Sequence, residues 1–281
     1  MKDKGTLLIS EAFHSVQCEG ITSGYPAYFV RLTNCNLSCG ATPKFVNQFK
    51  KEGSTYDPGS TYDPGSFKGD MHEAGSATWT CDTIPVWAKG TERTYQWLID
   101  KWKDEGVYDN IKNGLIHIIW TGGEPTIPMH QEAISGFHQY WADQDFDENF
   151  QPYVEIETNG TFYIGEDLFS QLDQINCSAK LANSGMRADQ RITPEAIIRI
   201  MSHLNYQFKF VISSEDDVKE VFTDYINPYN IPLQYVVCMP GLDSREDFHE
   251  RTRFVLEMAK KYNFIGLTRL HISAWDKTTG V

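Results

Sequence analysis

No apolar run in the chain approaches the roughly 20 residues that a membrane-spanning helix needs. The N-terminus, MKDKGTLLISEAF, is basic at first, but its apolar run is too short for a secretory signal and no small-residue cleavage site follows. The expectation is a cytoplasmic protein with no membrane partner. Basic residues are also scarce: 25 Lys and Arg stand against 38 Asp and Glu, a net charge of −13. That field repels a phosphate backbone, so a nucleic-acid partner is not expected, and the acidity serves solubility. Cysteine is too sparse for a disulfide scaffold, with six positions, Cys18, Cys35, Cys39, Cys81, Cys177 and Cys238, in a cytosolic chain of 281 residues. Metal ligands, redox groups or small buried hydrophobes remain. One further absence is local. NCNLSCG sets Cys35 and Cys39 four apart, as at the opening of a CxxxCxxC loop, yet position 42 is Thr42, and the next cysteine is Cys81 in WTCDT.

What is present is globular. Hydrophobic residues make up 41% and aromatics 13% of a length suited to one α/β barrel-type domain with an ample core. Strand-like runs occur at 27–32, 115–120, 153–158, 175–178, 207–212, 233–239 and 269–273. Most read as apolar on both faces, as parallel strands covered by helices are. Helical patterns fall between them. TERTYQWLIDKWKDEG (91–106) places Tyr95, Leu98, Ile99 and Trp102 on one stripe. The segment 193–204 opens with Thr193 as an N-cap and Pro194 in the first turn, and 244–262 ends in lysines that suit the helix dipole. Strand–helix alternation of this kind predicts a βα-repeat fold with a mainly parallel sheet. Residues 40–80 break the pattern. Ser-Thr-Tyr-Asp-Pro-Gly occurs in tandem at 54–59 and 60–65, a turn-forming sequence poor in apolar residues. It predicts a loop insertion inside a single domain spanning 1–281.

In parallel βα folds the chemistry sits at the C-terminal ends of strands. Here those ends carry the cysteine pair, then Thr121-Gly122-Gly123-Glu124-Pro125, then Thr158-Asn159-Gly160-Thr161, then Ser178 and Lys180. The last three have plain structural readings: Gly-Gly as a tight turn, Thr-Asn-Gly as a turn sequence, and Ser-Ala-Lys as unremarkable alone. Their succession behind a cysteine pair points to a site.

The cysteine pair followed by GGEP resembles the radical S-adenosylmethionine (SAM) superfamily, in which three cysteines hold a [4Fe–4S] cluster whose fourth iron binds SAM. EAFHSVQCEG, AYFVRLTNCNLSC, CDT, GGEP, ETNGT, CSAK and the terminal RLHISAWDKTTGV together are similar to the 7-carboxy-7-deazaguanine synthase family. The likeness covers residues 8–39, 81–83 and most of the chain beyond. Two departures stand out. Cys18 replaces the glycine of the family's Gln-Gly-Glu-Gly segment, which bears on the backbone geometry of that turn. Cys39 and Cys81 are separated by 41 residues, where the family has two. Rejoining CNLSCG to TCDT restores the family pattern. Loop closure costs about 0.6 kcal/mol per doubling of length, so the insertion adds roughly 2.5–3 kcal/mol. Metal-site binding is on the order of 10 kcal/mol or more for structural zinc, which is enough to tolerate it if both ends are anchored.

The resemblance implies an incomplete βα barrel of the radical SAM type, and a lyase that converts 6-carboxy-5,6,7,8-tetrahydropterin to 7-carboxy-7-deazaguanine with loss of ammonia. It implies Cys35, Cys39 and Cys81 as cluster ligands. Gly122, Gly123 and Glu124 would line the amino end of SAM, with bare glycine backbone allowing close approach. Thr158, Ser178 and Lys180 would contact the rest of SAM, and Thr83 would bind Mg²⁺, which keeps waters and substrate oxygens as its other ligands. Gln17 and Glu19 would meet the amide-like edge of the pterin, Arg31 would fork its carboxylate, and His271 would face it from the last strand. The resemblance also implies an external flavodoxin- or ferredoxin-like electron donor and a homodimer. Cys177 and Cys238 read as core residues, and Cys18 as no ligand. Two rivals are a radical SAM activase that makes a glycyl radical on a partner protein, and a non-catalytic binding protein on the same scaffold.

Overall fold

Side chains alternate across a strand, so the VEIET run sends Val154 and Ile156 one way and Glu155 and Glu157 the other. This alternation organises the whole sheet of the computed structural model, which describes residues 5–51, 77–81, 83–145, 147, 149–241, 245–276 and 278. The strands are β1 (Thr6–Val16), β2 (Pro26–Leu32), β3 (Thr91–Thr94), β4 (His117–Gly122), β5 (Val154–Thr158), β6 (Gln174–Cys177), β7 (Tyr206–Ile212), β8 (Val236–Pro240) and β9 (Ile265–Gly266). Their order in the sheet is β3-β1-β2-β4-β5-β6-β7-β8-β9. β1 is antiparallel to β2 and β3, and every pairing from β2 to β9 is parallel. The sheet is open, and the chain is a mixed α/β structure of the partial-barrel type.

One face of the sheet packs under helices. Val30, Leu32, Trp120, Ile156, Phe208 and Phe210 join Leu98, Ile99 and Trp102 of the helix Tyr95–Asp104. Ile134, Phe137 and Trp141 of the helix Pro128–Asp145 complete the same core. Trp102 and Trp141 meet with ring centroids 5.2 Å apart, an edge-to-face contact. The other face is polar. The strands are therefore not apolar on both faces as the sequence suggested: Glu155, Glu157, Asn176, Gln207 and Lys209 point inward and are hydrogen-bonded there. Among the described residues, no helix is long and apolar enough to cross a membrane.

Other expectations also change. The run 269–273 is not a strand, because Leu270–Trp275 is a helix. The helix expected from 91 begins at Tyr95, since Thr91–Thr94 adds β3 to the edge of β1 and Thr94 then caps the helix by accepting from Trp97 N. β1, β9 and the helix Pro128–Asp145 were not anticipated. The spacing of Ile134, Phe137, His138 and Trp141 carries the helical signal for the last of these. The insertion is not a loop from its start: Pro43–Lys50 is a helix whose Phe45 and Val46 pack with Ala41, Ile84 and Trp87. The tandem hexapeptides, 54–65, lie outside the described residues.

Candidate active site

Parallel register places Arg31 beside Thr121, Leu32 beside Gly122, and Thr158 beside Cys177. The loops leaving these strands thus open at one end of the sheet, around a cavity of about 390 Å³. Gln17, Glu19, Arg31, Cys35, Cys39, Cys81, Thr83, Gly122, Gly123, Thr158, Ser178, Lys180 and His271 all line it. Glu124 does not. It is fully buried, and its carboxylate accepts from the Thr158 hydroxyl (2.7 Å), Asn159 N (2.6 Å) and Thr126 N (2.8 Å). Burial raises its pKa while these donors oppose the shift. Glu124 fastens the end of β5 to the turn after β4 and presents no group to the cavity.

The two glycines line the cavity and are also pressed against the cysteine loop. A Cβ on Gly123 would lie 1.7 Å from Asn34 O, and one on Gly122, whose φ is +129°, 2.2 Å from Leu32 O. Glycine is required here because the turn after β4 presses backbone to backbone on the cysteine loop. Gly123 N donates to Leu32 O and Glu124 N to Asn34 O.

The three thiols lie on the cavity wall. Cys81 N donates to Cys39 O at 3.0 Å, which draws the two ends of the insertion together. The Cys35 sulfur accepts from Leu37 N (3.4 Å) and Asn159 Nδ2 (3.8 Å), and the Thr83 hydroxyl lies 3.2 Å from the Cys81 sulfur. Burial, followed by the neighbouring Cys39 and Glu124, raises the Cys35 thiol well above its ordinary value. Burial pushes Cys39 up to about 12 against the pull of Lys180. Among the described residues no three His, Cys, Asp or Glu side chains converge on a single metal ion. A [4Fe–4S] cluster binds its thiolates on different irons, so its ligands surround a volume rather than meet at a point. Three thiols on one cavity wall, with N–H donors on the Cys35 sulfur and a hydroxyl beside that of Cys81, fit that group.

Cys18 lines the cavity without left-handed backbone, so the family's glycine is replaced here without strain. Its thiol bonds Val16 O, and burial raises it to about 11. Cys177 and Cys238 are buried in the core.

Among the cavity residues that the sequence reading missed are Glu157, Lys209 and Arg269. Lys209 Nζ lies 3.3 Å from Glu19 and 3.1 Å from Glu157, and Arg269 Nε lies 2.9 Å from Glu19. Gln17 amide donates to Glu157 (3.4 Å) and accepts from Glu19 N (3.1 Å), while Thr121 donates to Glu157 (2.9 Å). Burial alone would raise the Glu19 carboxyl, but Lys209, Arg269 and His271 hold it well below the usual carboxylate range. Glu157 is likewise held down by Lys209 against burial. The signal was available, since a charge at an alternate position of a strand, as in YVEIET and QFKFVI, marks an inward face. Arg31 pairs with Glu11 through Nε at 3.1 Å. His271 reaches the cavity from the helix Leu270–Trp275, not from a strand.

An open, mainly parallel α/β sheet with three thiols and a charged inner face at one rim has the architecture of a radical SAM partial barrel. No protein-family profile matches the chain. Over nearly its whole length the chain is similar to 7-carboxy-7-deazaguanine synthases. With that of Pyrobaculum aerophilum it is 28% identical over 97% of this chain and 96% of the relative. With that of Halobacterium salinarum it is 22% identical over 98% and 92%. The crystal structure of QueE from Escherichia coli shares the fold, with a TM-score of 0.54 at 18% identity over 94% of this chain and 93% of that one.

Proposed function

We infer that the chain is a 7-carboxy-7-deazaguanine synthase, a radical SAM carbon–nitrogen lyase of 7-deazaguanine or queuosine-type biosynthesis that acts on 6-carboxy-5,6,7,8-tetrahydropterin and releases ammonia. The observation that carries this reading is one cavity lined by the three thiols of Cys35, Cys39 and Cys81 together with the charged cluster of Glu19, Glu157, Lys209 and Arg269. When bound, a [4Fe–4S] cluster and SAM supply the one-electron chemistry and hydrogen abstraction that begin the ring contraction. Cys35, Cys39 and Cys81 hold the cluster. Gly122 and Gly123 present backbone, and Thr158, Ser178 and Lys180 present polar groups, to SAM. Lys180 is oriented by its 2.9 Å bond to Ser178. Gln17 and Glu19 offer both donor and acceptor atoms to the pterin. Arg31 is held through Nε, and its terminal nitrogens make no other side-chain hydrogen bond among the described residues, which suits a substrate carboxylate. Thr83 supplies an oxygen for Mg²⁺, and His271 faces the substrate. An external flavodoxin- or ferredoxin-like electron donor, a homodimer, one domain over 1–281 and a cytoplasmic location belong to the same proposal.

Iron per chain in the six Cys→Ala variants tests the ligand set. Cys35, Cys39 and Cys81 variants are expected to lose the cluster, and Cys18, Cys177 and Cys238 variants to keep it. A normal iron content in Cys81→Ala sinks the assignment. Anaerobic reconstitution followed by turnover with the carboxytetrahydropterin tests the reaction. SAM cleavage that depends on a protein instead of the pterin would favour a glycyl-radical activase, and a protein left colourless by iron and sulfide would favour a binding role.

A further inference from the structure

A two-residue link would fix Cys81 next to Cys39 through the chain itself, but 41 residues do not. Something else must seat Cys81, and besides the small core that the two flanks share, one turn hydrogen-bonds both ends of the insertion. We propose that the turn Ala182–Ser184, just after β6, is the clamp that closes the insertion, with Asn183 as the positioning residue that seats Cys81 beside Cys39. This rests on the reading of those two cysteines as ligands.

At the start of the insertion Gly40 N donates to Ser184 O at 2.7 Å. At its end Thr78 N donates to Asn183 O at 2.8 Å, and Trp79 Nε1 donates to Asn183 Oδ1 at 3.0 Å. The Asn183 amide in turn donates to Val211 O in β7 at 2.9 Å. Asn183 is buried, so its side chain joins the returning chain to the sheet in a setting where water is a poor substitute. The turn is itself braced: Ala182 N donates to Glu220 Oε1 at 2.8 Å, and Arg191 holds the same oxygen at 2.6 Å. The two ends then meet directly. Gly40 has φ +74°, and a Cβ there would lie 2.0 Å from Trp79 O. Trp79 packs against the small buried cluster of Leu37, Cys39 and Met186.

The test reads the chain without metal. In metal-free protein, iodoacetamide alkylation is mapped by mass at each cysteine for wild type, Asn183→Ala and Trp79→Phe, which keeps a smaller aromatic ring at that position and removes the N–H donor. Alkylation of Cys39 is expected to rise about tenfold in Asn183→Ala, the scale of one lost buried hydrogen bond, and by less in Trp79→Phe. Cys177 and Cys238 stay protected, and iron per chain at limiting iron falls in both variants. Unchanged Cys39 alkylation in both variants overturns the clamp. A rise shared by Cys39, Cys177 and Cys238 also overturns it, since Asn183 would then only stabilise the fold. Should Asn183→Ala fail to fold, Trp79→Phe decides. If wild type binds no iron, the cluster reading fails while the alkylation pattern still judges the clamp.

Discussion

Lys209 is a buried ammonium that faces two carboxylates, and Arg269 balances the second of them. The four charges cancel, which is how a polar cavity floor survives burial. The linkage to pH has a definite sign. Glu19 is held below its ordinary value of 4.5, burial being outweighed by Lys209 and Arg269. A depressed carboxylate gives stability that is complete above the unfolded-state value and is lost as pH falls through the folded-state value. The Glu19 contribution is therefore full from neutral pH down to about 5 and erodes only in acid. Glu19→Gln is expected to flatten the acid limb of a stability–pH curve measured by urea unfolding; an unchanged limb would remove Glu19 from the network. Thr83 is a second case where contacts revise a role. It occupies the N-cap of the helix Ile84–Trp87, but its side chain makes no capping bond, and its hydroxyl lies against the Cys81 sulfur instead. Thr83→Ala is therefore expected to shift the reduction potential of the cluster as well as raise the Mg²⁺ needed for turnover, with Thr83→Ser close to wild type. Superimposable redox and Mg²⁺ titrations of Thr83→Ala and wild type would mean that the hydroxyl serves neither.

At the scale of elements, Thr42 explains the missing cysteine: its hydroxyl accepts from Phe45 N at 3.2 Å and starts a helix at the entrance to the insertion. That helix packs on Ile84 and Trp87, directly after the third cysteine, so both flanks of the inserted segment share one small core. Deleting residues 54–65 removes none of these contacts and leaves the bonds at Gly40, Thr78 and Trp79 intact. Iron content and melting temperature of the deletion variant are expected to match wild type, and loss of iron would show that the hexapeptides belong to the site. The parallel strands from β2 to β8 and the rim they carry were legible in the sequence, because short apolar runs ending in Gly, Thr, Asn or Cys have a strong signature. β1 was not, because Glu11 and Ser15 interrupt its apolar pattern on the cavity side. RLHIS was misread because five residues with two hydrophobics do not separate a strand from a one-turn helix. The Asn183 contacts had no sequence signature, since they join segments about a hundred positions apart.

Across the whole molecule the inner face of the sheet carries two polar tiers. Beneath the cavity floor, Glu155 accepts from Asn176 at 2.7 Å and Thr22 at 2.8 Å and contacts His117 at 2.6 Å. The lower tier does not line the cavity. Glu155→Ala strands several buried donors at about 1–3 kcal/mol each. It is expected to lower unfolding stability while turnover per folded molecule holds, and a matched loss of turnover at full folding would tie the lower tier to the site. The backbone contact between the turn after β4 and the cysteine loop reaches further. Gly122 and Gly123 touch Leu32 and Asn34 with no room for a single added carbon. The two loops therefore form one mechanical part, and they are not free to diverge separately. The atoms in the way are backbone, so no side chain chosen at 32 or 34 can make room for a Cβ. A library that randomises 121–124, alone or together with 32 and 34, should return glycine at 122 and 123.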